Sequence, residues 1–296
     1  MRNLQIIKKE HQRIGYSEND IEIAEYKELE ADYDENGLLA REARYNPDGS
    51  LNTLTINTYN EHKELSVAEQ YDQDNILLQK TENTYNDSGL LQEQTNYYGD
   101  ASDKYTTKYI YNSEGLVERQ EVYFNGELDY VEKTTTYKDG RVDTLVENDD
   151  YGNPMYSSHY EYNEKGLVSV FTHDEIQNKD RRTYEFTYND NNDRIKDLIY
   201  DYDMKLIAKA NRIFDENHHL LEYIEEDLDN YRQVKMEYEG DLVKKNTIFD
   251  KKGEIVSWAE YEYDENGKEI KSVEYAHDEV NPEKMRIVRE TLYIRS

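Results

Sequence analysis

Seven histidines are the residues best suited to chemistry in this chain: His11, His62, His159, His173, His218, His219 and His277. None shows metal-ligand spacing such as H-x-x-x-H. His218 and His219 fall in a turn where sister segments carry Gly and an apolar residue, and both are expected to be solvated. Paired carboxylates occur throughout, so pairing alone selects nothing. Asp201 with Asp203, or Asp190 with Asp193, offers oxygen ligands for calcium, but the EF-hand register with its closing Glu is missing. No pair of acids stands out for glycosidase work. There is no Gly-rich phosphate loop and no G-x-S-x-G elbow. An enzyme is not expected, nor are a cofactor or a metal.

What remains is tyrosine. The 296 residues include 30 Tyr, 5 Phe and a single Trp, Trp258, while hydrophobic residues in total make up 36 %. Tyr gives rigid, amphipathic contact area and serves protein and sugar surfaces alike. The candidate binding residues are Tyr85, Tyr97, Tyr111, Tyr123, Tyr137 and Trp258. For most of these tyrosines the competing role is packing within a sheet, with rings stacked across neighbouring strands.

Those tyrosines recur. An aromatic residue followed by Asp or Asn, two variable residues, Gly and two apolar positions begins at Tyr33, Tyr85, Tyr111 and Tyr162, and at Tyr263 with Lys268 and Glu269 in place of the apolar pair. Weaker copies begin at Tyr59, Tyr137, Tyr188, Phe214 and Tyr238. From Tyr33 to Tyr137 each step is 26 residues; later steps run from 24 to 26. A second series, Tyr45, Tyr71, Tyr97, Tyr123, Tyr200, Phe249 and Tyr275, lies inside the units, so that early spacing alternates 12 and 14. Short segments punctuated by turn signals at this interval read as strands. Each unit is one antiparallel pair. Asn46-Pro47-Asp48-Gly49 has the chemistry of a type I turn closed by a left-handed glycine and a bulge.

The fold expected is all-β: tandem hairpin repeats of about 20 strands with a 26-residue double-strand period, forming an elongated, curled or spiralling single sheet. Residues 1–30 are expected to cap the array, 31–280 to form it, and 281–296 to add a closing strand. The segments around 170–184 and 222–234 blur the pattern and read as longer or irregular loops. From Leu39 to Tyr97 the anchors are all odd-numbered, which suggests one tyrosine and leucine face opposed by a charged one.

Tyr109-Ile110-Tyr111-Asn112, Tyr160-Glu161-Tyr162-Asn163 and Tyr261-Glu262-Tyr263-Asp264, each completed by Gly three residues later, give Y-x-Y-[Asp/Asn]-x-x-Gly. This resembles the tyrosine-aspartate (YD) repeats of the Rhs and teneurin-like proteins over roughly residues 31–275. The resemblance implies a long β-sheet that spirals into a shell or barrel, some shells enclosing a toxin domain. A fainter similarity is to short β-repeat antitoxins related to MORN arrays.

Lys and Arg total 36 against 66 Asp and Glu, a formal net charge of −30. That field repels nucleic acid and anionic lipid and favours a basic partner. With no cysteine, no signal-peptide run and no apolar stretch of about 20 residues, the sequence reads as cytoplasmic. The function expected first is a protein-binding scaffold of immunity or antitoxin kind that captures a basic toxin. A carbohydrate-binding or cell-surface module comes second. An acidic mimic of nucleic acid, suggested by charge alone, comes last.

Overall fold

The computed structural model describes residues 2–14, 17, 19–99 and 103–295. Among them 22 strands follow one another with no helix. In order they are β1 (Arg2–Arg13), β2 (Ile21–Tyr33), β3 (Leu39–Tyr45), β4 (Leu51–Tyr59), β5 (Leu65–Tyr71), β6 (Leu77–Tyr85), β7 (Leu91–Tyr98), β8 (Lys104–Tyr111), β9 (Val117–Phe124), β10 (Glu127–Lys138) and β11 (Arg141–Asn148). The second half comprises β12 (Pro154–Tyr162), β13 (Val168–Glu175), β14 (Asp180–Tyr188), β15 (Arg194–Tyr200), β16 (Leu206–Phe214), β17 (Leu220–Asp227), β18 (Tyr231–Glu239), β19 (Leu242–Phe249), β20 (Ile255–Tyr263), β21 (Glu269–His277) and β22 (Met285–Arg295).

The turns explain why the strands are so regular. At Asn112 the backbone N–H donates to Leu116 O (2.8 Å) and Gly115 N–H donates back to Asn112 O (3.1 Å). The Asn112 side-chain oxygen accepts from both Glu114 N–H and Leu116 N–H, each at 2.9 Å. Four bonds within five residues fix a turn that needs only Asp or Asn first and a left-handed residue fourth. The same set recurs from Asp34 through Asn86 and Asn163 to Asp264. In weak copies the fourth position is not Gly: Lys63, Asn75, Met204 and His218 all take positive φ there. The aromatic anchor just before such a turn sits at a register shift, as between Ile110 and Tyr111 or Thr84 and Tyr85.

All strands belong to one sheet. The expectation of an open, spiralling sheet does not hold. β22 pairs with β1 from Leu4↔Arg295 to Glu10↔Arg289, so the hydrogen-bonded order returns to its start, the connectivity of a closed β-barrel. The physical reason is that an unpaired edge exposes a row of N–H and C=O groups, and pairing the first and last strands satisfies both rows at once.

The chain divides into two compact units: Met1–Thr55 with Asp190–Ile195 and Ala210–Ser296, and Ile56–Asn189 with Lys196–Lys209. In the first, antiparallel pairing runs β17-β18-β19-β20-β21-β22-β1-β2-β3. In the second it runs from β5 to β14 in sequence order. Segments 170–184 and 222–234, expected as loops, are instead β13–β14 and β17–β18 with short turns. Cross-strand aromatic pairs such as Phe171↔Tyr184 hold that register where the repeat motif lapses. Among the described residues no large side chain is fully buried; most of the buried ones are small, such as Ala43, Val122, Ser158, Val234 and Ala259.

Candidate functional site

The tyrosines do not share one face. Register in the second unit pairs Lys80 with Tyr97 and Glu82 with Thr95, which puts Tyr97 beside even-numbered β6 residues. Tyr85, by alternation, lies with Asn83 and Thr81 on the other side. The one-residue bulge beside turns such as those at Asn86 and Asn112 makes odd positions on one strand oppose even positions on the next, so parity cannot be carried through them. Face one therefore bears Tyr85, Tyr111 and Tyr137, and face two bears Tyr97 and Tyr123. In the first unit, Trp258 lies on the face opposite Tyr263.

The first series forms a ladder. The hydroxyl of Tyr85 donates to Leu65 O at 2.9 Å, Tyr111 to Leu91 O at 2.6 Å and Tyr137 to Val117 O at 2.7 Å. Tyr162, Tyr188 and Tyr263 repeat this with Val142, Val168 and Val243. Each bond ties the end of one strand to the beginning of the strand before it. Burial is the leading cause that raises the phenol pKa at Tyr85, Tyr111, Tyr137 and Tyr263. These hydroxyls are committed to the fold, which explains why Tyr rather than Phe recurs here.

The second series is built for cations. Lys108 Nζ stands 4.6 Å above the Tyr123 ring, whose hydroxyl donates to Glu121 at 2.8 Å. Lys80 stands 6.0 Å above Tyr97, whose hydroxyl donates to Glu82 at 3.0 Å. Lys27, Tyr45 and Glu30 repeat the trio in the first unit. Trp258 stacks on Tyr275 at 4.8 Å with Lys245 4.9 Å above its ring, and its indole N–H is buried with no partner among the described residues. The rings thus already hold ammonium groups of this chain.

Sequence reasoning missed a third feature. On face one, Tyr160, Phe171 and Tyr184 follow one another across β12, β13 and β14 with ring centres 5.0 and 5.4 Å apart. His173 stacks on Tyr156 at 5.3 Å and its Nδ1 lies 3.0 Å from Ser158 Oγ. A nucleophile would need a third group orienting the histidine and donors for an oxyanion; Ser158 and His173 are a cross-strand pair in the middle of a sheet. The signal for this cluster was aromatic density in a segment whose turn motif had failed.

His219 is not solvated as expected. Nδ1 lies 2.9 Å from Asp215 and Nε2 3.1 Å from Asp241, with the ring stacked 4.7 Å from Tyr238. The placing of the half-buried imidazole between two carboxylates was hidden because Asp241 belongs to a different turn. Oδ1 of Asp201 stabilises its own turn, accepting from both Asp203 and Lys205 N–H. Among the described residues no group of three or more His, Cys, Asp or Glu is placed to hold a metal ion.

Arg13 and Asp278, whose side chains are each 7 % exposed, form an ion pair where β1 meets the segment after β21. Arg286 adds Glu279 at 2.6 Å and donates to the carbonyl of His11. At the opposite rim no turn joins β22 to β1, and a cleft of about 720 Å³ opens there, lined by Asn3, Tyr33, Asn266, Lys268 and Arg295. It is a surface feature, since both cations are exposed.

No protein-family model matches the sequence, and no curated protein matches it. Among solved structures, a porin-like protein from Bacteroides uniformis ATCC 8492 is similar at a TM-score of 0.37 and 13 % identity, over 99 % of this chain and 96 % of that one. TcdB2-TccC3 is similar at 0.37 and 11 % identity over 93 % of this chain and 19 % of that one. Its form without the hypervariable C-terminal region gives 0.31, 12 %, 92 % and 19 %. The chain thus spans about a fifth of the TcdB2-TccC3 chains. Similarity this low carries no functional argument.

Proposed function

We propose that this chain is a non-enzymatic, acidic β-repeat scaffold of YD type that holds a basic protein along its turns. One observation carries the reading. In the second unit, exposed Glu61, Asp87, Glu114, Asp139 and Glu164 occupy successive turns of one rim. Turns two strands apart lie about 10 Å from each other. The strand lysines, by contrast, are held by carboxylates: Lys80 by Glu82 at 2.7 Å, Lys108 by Glu93 at 3.2 Å and Lys133 by Glu147 at 2.9 Å. Lys63, Lys138 and Lys165 lie beside three of these acids, and the excess of acid that steers a basic partner is the net charge of −30 of the whole chain. A captured toxin of immunity or antitoxin systems fits that chemistry.

The test starts with recovery of a partner from the native host and measures association against salt. Neutralising Glu61, Asp87, Glu114 and Glu164 together as amides should slow association on the order of tenfold at low salt. A partner that is not basic, or an on-rate indifferent to salt, sinks the reading.

The ring run Tyr160–Phe171–Tyr184 favours a second reading, a carbohydrate platform, because sugar faces stack on such rings. A glycan array with no signal above background removes it.

A further inference from the structure

Three neighbouring turns on one rim of the first unit are joined through two adjacent histidines. His218 occupies the left-handed fourth position of the turn between β16 and β17, with φ of 67°. Its Nδ1 lies 2.7 Å from Asp193, in the turn between β14 and β15. His219 follows, with Nδ1 2.9 Å from Asp215 of its own turn and Nε2 3.1 Å from Asp241, in the turn between β18 and β19. The ring is braced against Tyr238 with planes 19° apart.

The geometry sets a requirement on protons. A neutral imidazole has one N–H donor and one bare lone pair. A carboxylate at each nitrogen offers only acceptors, so the neutral ring always turns a lone pair toward a carboxylate oxygen. Only the imidazolium donates to both. We infer that His219 is a proton-operated tie: protonated, it links the turn at 215–219 to the turn at 240–241; deprotonated, it lets one of them go.

The charged and titratable groups facing the ring agree in sign. Asp215 comes from its own turn, Tyr238 from β18 and Asp241 from the next turn, while Asp193 faces the companion His218. Lys244 on β19 is occupied by Glu239 at 2.9 Å. The hydrogen bond that the ring donates to Asp215 is the leading cause that raises the His219 pKa above its ordinary 6.5, with Asp241 adding to it. Because the folded value is raised, the tie is complete below the ordinary value and is lost as pH rises through the folded one. The inference does not depend on the identity of any partner. Its effect is local: protonation offsets carboxylate charge on this rim and stiffens the loops that carry it.

Imidazole resonances followed by NMR through a pH titration test this directly. In the unmodified protein His219 should titrate above the ordinary 6.5. Protection of the amides at residues 240–241, taken relative to their base-catalysed intrinsic exchange rate, should rise as pH falls. Asp241→Asn should move the His219 midpoint downward and abolish that change in protection. The Asp241 side chain is 93 % exposed, so this variant spares the fold. A His219 midpoint at or below the ordinary 6.5 overturns the inference. So does a midpoint that Asp241→Asn leaves unmoved.

Discussion

Tyr111, at the end of β8, donates its hydroxyl hydrogen to the carbonyl of Leu91, at the start of β7, across 2.6 Å. The bond lies at the bulge where the ladder is interrupted, and it holds one hairpin against the next. Tyr111→Phe keeps the ring and removes this bond, so unfolding free energy should fall by about 1 kcal/mol in a denaturant titration. Tyr97→Phe loses a bond to the side chain of Glu82, which solvent can replace. It should cost less than Tyr111→Phe. Equal losses would contradict the division of tyrosines into two series.

Arg13 and Asp278 make the second prediction. Removing one member of a buried pair leaves the other charge without compensation, at about 3 kcal/mol. Asp278→Ala should reach that loss, while Glu279→Ala, at a side chain 61 % exposed, should cost well under half as much. Thermal unfolding of the two variants compares them. A harmless Asp278→Ala would show that the cluster adds nothing to the junction of β1 and β22.

Left-handed turn positions supply the third. Met204 holds φ of 59° where strong repeats carry Gly. Relief of its strain exceeds the entropy that Gly loses, so Met204→Gly should stabilise by about 0.5–1 kcal/mol. Gly166→Ala should do the reverse, because φ is 79° and the added methyl meets the Arg141 guanidinium. Denaturant midpoints for both decide the matter; a destabilising Met204→Gly would argue against a shared turn geometry.

Alkaline pH should dismantle the hydroxyl ladder. Burial raises the phenol pKa of Tyr85, Tyr111, Tyr137 and Tyr263 above the ordinary 10.0. A folded value above the unfolded one means this stability is fully present below pH 10.0 and disappears as pH climbs through the raised values. Phenolate absorbance and the β-sheet circular dichroism signal should then change together above the ordinary range. Ionisation of every tyrosine at the free-phenol midpoint, with the dichroism intact, would exclude the ladder as a source of stability.

Turns were the most readable part of the chain, because an Asx side chain and a left-handed residue leave a local signature. Asn112 and Gly115 illustrate it. The face of each tyrosine was not readable, since a single bulge residue, Gln92, after the turn at Asn86 reverses which numbers look the same way. The Tyr160–Phe171–Tyr184 run and the two carboxylates on His219 were hidden for a related reason. They depend on which strand or turn lies alongside, and nothing in the residues of 170–184 states that. The pairing of β1 with β22 was the least visible, for these two strands carry no copy of the repeat. Their partnership is written in Arg13, Asp278 and Arg286, residues whose roles emerge only once they meet.

The bond from Arg286 to the carbonyl of His11 spans 275 positions of sequence. On a ribosome, β1 emerges long before the strand that will flank it, and its open side must wait through the synthesis of nearly everything else. Contacts so distant in sequence form slowly, and a waiting edge is a template for the wrong neighbour. Hairpins can assemble one after another as they appear, yet the final step belongs to β22. Nascent chains halted before Met285 should therefore bind chaperones and aggregate, although all but one of the strands have already been made.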